Sequence, residues 1–193
     1  MRKISAVYEN PIDDLLLSLC DYITPICFSL SLTPNHITAL SLLIGFASAY
    51  YIYQKDFKTG AILFGLSYFL DCLDGHYARA YNMETEFGDW FDHISDAAKS
   101  IAIIYALYKV NSDKLKKYYI YLVFFLIIQT MHLGCQEKIA ATTKSSSIAF
   151  SKILCVAHNG IDMIKYTKYF GCGTMNLILG LFIYNFGTDK FLF

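Results

Sequence analysis

Asp71-Cys72-Leu73-Asp74-Gly75-His76-Tyr77-Ala78-Arg79, followed after residues 80–87 by Gly88-Asp89-Trp90-Phe91-Asp92-His93-Ile94-Ser95-Asp96, sets four carboxylates among long apolar runs. Asp71, Asp74, Gly75 and Ala78 recur at i, i+3, i+4 and i+7, which is one face of a helix. Asp92 and Asp96 stand at i and i+4, again on one face. The run 59–80 begins apolar and ends polar, whereas 88–109 begins polar and ends apolar. The two read as an antiparallel helical hairpin over 59–109. At 1.5 Å per residue, Asp71 lies roughly 13 Å before the end of the first helix and Asp96 roughly 12 Å into the second. All four acids can therefore meet at a similar depth.

Outward from the hairpin, the chain is unusually apolar. Its 193 residues are 55% hydrophobic and only 17% charged, with a mean hydropathy of +0.40. Soluble domains average about 25% charged residues, so much of this surface is expected to face lipid. A bilayer-crossing helix needs about 20 mainly apolar residues. The runs 36–54, 59–80, 88–109, 117–135 and 172–186 supply five. A sixth, 147–164, is interrupted by His158, Asn159 and Asp162 and is expected to be partly buried in protein.

The expected fold is an all-α integral membrane protein: a multi-pass six-helix transmembrane bundle forming one domain over 1–193, without internal repeats. An amphipathic interfacial helix over 10–31 precedes it. There Leu15, Leu16, Leu19 and Ile23 recur at helical spacing, and Asp13, Asp14 and Asp21 supply a polar side. A helix packed on the bundle is the plainer alternative. Asn10 is placed as its cap and Pro11 in its first turn, and Thr33-Pro34-Asn35 marks the break before the first span. Segments 55–58, 111–117 and 136–147 read as polar loops.

Several classes are disfavoured. Net charge is +0 and the pI about 6.9, so no nucleic-acid partner is expected. The six cysteines form no C-x-x-C pair, so neither a disulfide framework nor a zinc site is expected. Residues 1–10 lack the apolar core of a cleaved signal. Loop Lys and Arg residues are balanced between the two sides and leave the orientation open.

Four carboxylates in a bilayer protein are costly unless neutralised, and the nearby cations Arg79 and Lys99 are too few. Hard divalent cations meet oxygen ligands of this kind, and a pair of them can clamp both oxygens of a phosphoryl displacement. Gly75 and Ala78 leave the helix face bare for a bulky ligand, and Arg79 offers a forked cation suited to phosphate.

These residues resemble the signature of the CDP-alcohol phosphotransferases, D-x2-D-G-x2-A-R-x8-G-x3-D-x3-D, at every defined position, with a looser likeness over 34–109. The resemblance implies Asp71, Asp74, Asp92 and Asp96 as ligands of two Mg2+ or Mn2+ ions, with Asp96 also the general base. It places Asp74, Gly75 and Ala78 beside the cytidine nucleotide, Arg79 near the phosphates, and Gly88 at the same nucleotide and phosphate site. Asn35 and Thr38, in Thr33-Pro34-Asn35-His36-Ile37-Thr38, resemble a stretch near the nucleotide; starting a helix is the other reading for Asn35. The implied partners are a CDP-linked alcohol, an acceptor alcohol and membrane lipid, with CMP released. A homodimer and a cytoplasm-facing site are implied as well.

The identity of the alcohol is divided between two subfamilies. Asp74-Gly75-His76, Asn82, Thr85 and Phe87-Gly88 resemble phosphatidylinositol synthases, although those carry Arg where Ala97 stands. Phe91-Asp92-His93 and Asn10-Pro11-Ile12-Asp13 resemble choline/ethanolamine phosphotransferases, which are usually about twice this length. The expected donor is CDP-diacylglycerol and the acceptor a small polar alcohol; CDP-choline or CDP-ethanolamine with diacylglycerol is the alternative. A membrane prenyltransferase normally carries its acidic motifs on well-separated helices, and a non-enzymatic cation carrier would need neither the bare face nor Arg79.

His132, Gln136 and Glu137 are candidates for the acceptor pocket, and His158 with Asn159 for the same cavity. His76 and His93 flank the acids at positions the signature leaves free. Asp89 reads as a solvated helix-end acid. Lys138, Lys144 and Lys152 are either headgroup contacts or an ordinary basic loop.

Overall fold

The computed structural model describes residues 3–140, 149–156 and 160–188. They form α-helices and short 3-10 turns, with no strand among the described residues. The helices are α1 (Pro11–Ser29), α2 (Pro34–Tyr53), α3 (Phe57–Ala80), α4 (Glu86–Val110), α5 (Ser112–Ile139), α6 (Ile161–Thr167) and α7 (Cys172–Tyr184).

Short polar side chains set the helix starts. Asn10 accepts from the Ile12 and Asp13 amides at 3.0 and 3.3 Å, with Pro11 in the first turn of α1. Thr33 and His36 bond reciprocally across the start of α2. Asp56, Thr85 and Asn111 accept from the amides of Thr59, Gly88 and Lys114 and so open α3, α4 and α5. Each satisfies an amide that has no partner within its helix.

Four expectations are corrected. Segment 111–117 is no loop: Asn111 alone separates α4 from α5, because Ser112, Asp113 and the lysines form an exposed first turn in which Asp113 favours the positive helix end. Segment 136–147 begins as helix, since α5 runs on to Ile139. The described parts of 147–164 are a 3-10 turn, Ala149–Leu154, and the start of the seven-residue α6, which follows Gly160 at φ 76°, a left-handed conformation that suits glycine. His158, Asn159 and Lys144 lie outside the described residues. Finally, Cys135 and Cys155 form a disulfide, S–S 1.98 Å, tying the end of α5 to that turn. Twenty residues of separation gave no sign of it, because pairing depends on Cα atoms brought to 5.0 Å.

α2 and α5 are long and apolar enough to cross a membrane. α5 exposes Ile120, Phe124, Leu126 and Ile127 and buries only its far end, His132, Gly134, Cys135 and Glu137. α1 differs from expectation only at Asp13, which the sequence put on its polar side. Leu15 and Leu19 point outward, while Asp13 is buried, accepting from the Tyr68 hydroxyl at 2.5 Å and the Gly173 amide at 3.0 Å. A carboxylate with two good donors is better placed inside than the sequence pattern suggests.

The main core joins α2, α3, α4 and α7 through Ala49, Ile52, Phe64, Ile103, Leu107, Phe182 and Ile183. Ser41 and Ser67 donate to each other's carbonyls at 2.9 and 2.8 Å, and Ser48 donates to the Gly60 carbonyl at 2.8 Å. These small residues draw α2 and α3 close, leaving the polar half of α3 beside that of α4.

At the far end, Gly134 meets the 3-10 turn so tightly that a Cβ would lie 2.2 Å from the Ser151 carbonyl oxygen. That neighbour is backbone, held by the adjacent disulfide. Gly134→Ala is expected to cost about 3 kcal/mol, seen as a melting midpoint several degrees lower in detergent.

Candidate active site

Two cavities meet at the hairpin. The larger, about 660 Å³, is lined by Asp71, Gly75, Arg79, Asp92, Asp96 and Lys99, with an apolar arm that includes Phe64, Ile103, Leu107, Phe125 and Leu179. Lys3, Glu9 and Gln136 give it a second polar end. The smaller, about 130 Å³, is lined by Asn35, Thr38, Asp74, Gly75, Ala78, Arg79, Gly88 and Asp92. All seven residues expected near the nucleotide and phosphates thus share one recess. Gly75, Arg79 and Asp92 border both cavities.

Local structure explains the convergence. Asp71 and Asp74 are three residues apart on α3, so their side chains diverge by about 60° around the helix, one toward each cavity. Gly75 lets Arg79 fold back along α3, since a Cβ there would lie 3.1 Å from a guanidinium nitrogen. Gly88 admits Asn35 in the same way, its Cβ position being 3.1 Å from Asn35 Oδ1.

Lys99 Nζ lies 2.9 Å from Asp71 Oδ1 and 2.8 Å from Asp96 Oδ1, joining α3 to α4. One lysine cannot balance four carboxylates. Asp74 Oδ2 and Asp92 Oδ1 are buried without a hydrogen-bond partner, and Asp92, His93 and Asp96 offer ligand atoms within 4.8 Å of one another. Oxygen-rich donors with buried, unsatisfied lone pairs fit a hard divalent cation. His93 joins that trio, a position the sequence pattern had left free. Its Nδ1 is also 3.5 Å from Asp92 Oδ2. His76 instead faces α1, with Nε2 2.8 Å from Asp21 Oδ1, and Asp89 borders the smaller cavity.

The three acceptor candidates separate. Gln136 lines the larger cavity. Glu137, about 100° further around α5, pairs with Lys3 instead. His132 is fully buried, 3.3 Å from the Thr167 hydroxyl and closed off by Gly171, where a Cβ would come within 2.9 Å of its Nε2. Neither residue is among those lining either cavity.

Glu9 was not singled out by the sequence. Only 6% exposed, it accepts from Gln136 Nε2 at 3.0 Å across 127 residues of chain, a contact no local pattern signals. Burial, and then the charge of Asp13, push its carboxyl up to about 7, against the opposing pull of Arg79, the Asn10 amide and Gln136. A raised acid favours the folded state while protonated. The penalty is absent below the unfolded value of 4.5, grows as pH rises toward 7, and is complete above it. Its full size is about 3 kcal/mol. Glu9→Gln is therefore expected to melt higher than the parent at pH 8 and equally at pH 4, read from melting curves across pH.

The CDP-alcohol phosphatidyltransferase family model matches residues 31–182. Over 75 residues the chain is 40% identical to the bifunctional IPC transferase and DIPP synthase of Aquifex aeolicus (strain VF5), covering 39% of this chain and 17% of that protein. It is 32% identical over 79 residues to the archaetidylinositol phosphate synthase of Pyrococcus horikoshii, covering 41% and 42%. It is 37% identical over 86 residues to the CDP-diacylglycerol--glycerol-3-phosphate 3-phosphatidyltransferase of Rickettsia felis, covering 42% and 48%. The match spans less than half the length of each of these relatives. No solved structure matches the chain.

Proposed function

The chain belongs to the CDP-alcohol phosphatidyltransferase family, and on that premise we propose that it transfers a phosphatidyl group from CDP-diacylglycerol to the hydroxyl of a small polar alcohol, releasing CMP. The observation that carries this reading is the meeting of the two cavities at Gly75, Arg79 and Asp92. A donor with a polar nucleotide, a pyrophosphate and an apolar diacylglycerol has the same three-part order as the small recess, the junction and the apolar arm. The Rickettsia relative is named for CDP-diacylglycerol as donor, which supports the same choice.

Asp71, Asp74, Asp92 and Asp96, with His93 beside them, would hold the divalent cations, Mg2+ or Mn2+. When bound, these would offset the charge of the pyrophosphate and of the departing CMP. The chain's own residues supply the rest. Asn35, Thr38, Ala78 and Gly88 seat the nucleotide, and Arg79 meets phosphate oxygens at the junction. The acceptor enters from the Glu9 and Gln136 end, where a carboxyl and an amide can hydrogen-bond hydroxyl groups. Asp96 takes the acceptor's proton, and the freed oxygen attacks the phosphorus bearing the diacylglycerol. The bond to CMP then breaks, with its electron pair leaving on the CMP phosphate. Orientation within the junction supplies much of the acceleration.

In this reading the protein is a multi-pass membrane enzyme. α2 and α5 cross the bilayer with α3, α4 and α7 beside them, α1 lies at the interface, the site faces the cytoplasm, and two copies pair. The test is CMP release by detergent-purified protein from labelled CDP-diacylglycerol with Mg2+ and a panel of alcohols. Activity only with CDP-choline or CDP-ethanolamine plus diacylglycerol would reverse donor and acceptor. No CMP from any combination would sink the transferase reading and return the cation carrier.

A further inference from the structure

We propose that Lys99 is a positioning residue for this reaction, a built-in cation that holds Asp71 of α3 and Asp96 of α4 in fixed relation. The proposal rests on the reading of Asp96 as the group that takes the acceptor's proton. An ammonium has three N–H donors. Lys99 has three fixed partners: it donates to Asp71 Oδ1 at 2.9 Å and to Ser41 Oγ at 2.9 Å, and pairs with Asp96 Oδ1 at 2.8 Å. The Ser41 hydroxyl donates in turn to the Ser67 carbonyl at 2.9 Å, so a lone pair is left to accept from Lys99.

The aliphatic stem is held as firmly as the head. A Cβ on Gly45 would stand 2.6 and 2.7 Å from Lys99 Cγ and Cδ, so the missing side chain is the slot in which the stem runs. Exposed ion pairs are mobile and contribute little; this lysine is 8% exposed and constrained along its length. One oxygen of Asp96 is thereby committed, which leaves the other to face the cavity and the acceptor hydroxyl.

This role has a signature that a simple strut lacks. A fixed positive charge beside metal ligands opposes cation binding while it aligns the acid. Removing it should therefore relax the repulsion and slow the chemistry together. A strut, once removed, would loosen the ligands and weaken both.

The experiment uses the whole chain in detergent, with Mn2+ as the probe, its free concentration read by electron paramagnetic resonance without substrates, and CMP release giving kcat and KM. Lys99→Met keeps the length without the charge. It is expected to bind Mn2+ as tightly as the parent or up to about tenfold more tightly, with kcat lower by about 100-fold and both KM values within about threefold. Gly45→Ala, which crowds the slot and leaves every acid in place, is expected to shift kcat in the same direction by about tenfold. Melting curves identify any variant that fails to fold, and the other then decides. Mn2+ binding that weakens in step with kcat, or a Lys99→Met kcat within about threefold of the parent, overturns the proposal. If the parent itself releases no CMP, the transferase reading fails separately. The Mn2+ comparison still decides in that case, weaker binding in Lys99→Met overturning the built-in cation and equal or tighter binding supporting it.

Discussion

Asp96→Asn is expected to lower kcat by about 10³-fold or more while leaving the melting curve close to that of the parent. The amide matches the carboxylate in shape and can still accept from Lys99 Nζ, so the 2.8 Å tie between α4 and the buried lysine survives. What is lost is the group that takes a proton from the acceptor hydroxyl. General-base catalysis is typically worth 10²–10⁴-fold, and a weakened metal ligand adds to that; a 10³-fold loss corresponds to about 4 kcal/mol in the barrier. Because Asp96 does not border the smaller cavity, where the donor's nucleotide is seated, the donor KM should change by no more than a few-fold. CMP release at saturating alcohol measures the effect. A turnover within tenfold of the parent would remove Asp96 from the role of base.

Asp92→Asn is expected to be at least as damaging, by a different route. Asp92 is the one acid of the four that lines both cavities. Its Oδ1 is buried without a partner, and its Oδ2 is 3.5 Å from His93 Nδ1. A neutral amide there would bring a donor N–H toward the bound cation and reduce the ligand charge. Mn2+ affinity should fall by at least about tenfold, since even groups that only support metal ligands are typically worth 10–100-fold. The donor KM should rise together with a kcat loss of about 10³-fold. Parallel Mn2+ titrations and CMP assays separate the two acids: both numbers fall for Asp92→Asn, whereas Asp96→Asn acts mainly on kcat. Unchanged Mn2+ affinity in Asp92→Asn would take it out of the metal set.

Both acids stand out in the sequence as candidates, and the reason is local. A helix maps spacings of three and four residues onto one face, so the order of Asp71, Asp74, Gly75, Ala78 and Arg79 specifies a surface as well as a list. The same holds for Asn10, whose cap needs only the next three residues. Thr33, which the sequence marks only as part of a break, and Thr85, which it does not mark as a cap, open α2 and α4 in the same local way. Loop boundaries were less secure. The polar run after Asn111 looks the same whether it forms a loop or an exposed first turn, because water satisfies its side chains in either case.

Residues that depend on distant partners were not legible. Lys99 was visible as a cation near the acids, but its part in the site comes from Ser41 and the empty side of Gly45, both on another helix. Glu9, just before α1, lies beside Gln136 near the end of α5 only because the folded chain brings residues 127 positions apart together. Asp13 reads as a surface acid until Tyr68 and the Gly173 amide are brought to it. The Cys135–Cys155 bond likewise requires the chain to return on itself.

Residue spacing carried the resemblance to the family, whose model matches residues 31–182, and it specified helices and the paired faces carrying Asp71, Asp74, Asp92 and Asp96, because helix geometry is periodic and short in range. Tertiary packing decided the division into two cavities meeting at Gly75, Arg79 and Asp92, the apolar arm, and the placing of Lys99 between two acids. Those features depend on which faces of different helices meet, and packing of that kind has no period along the chain.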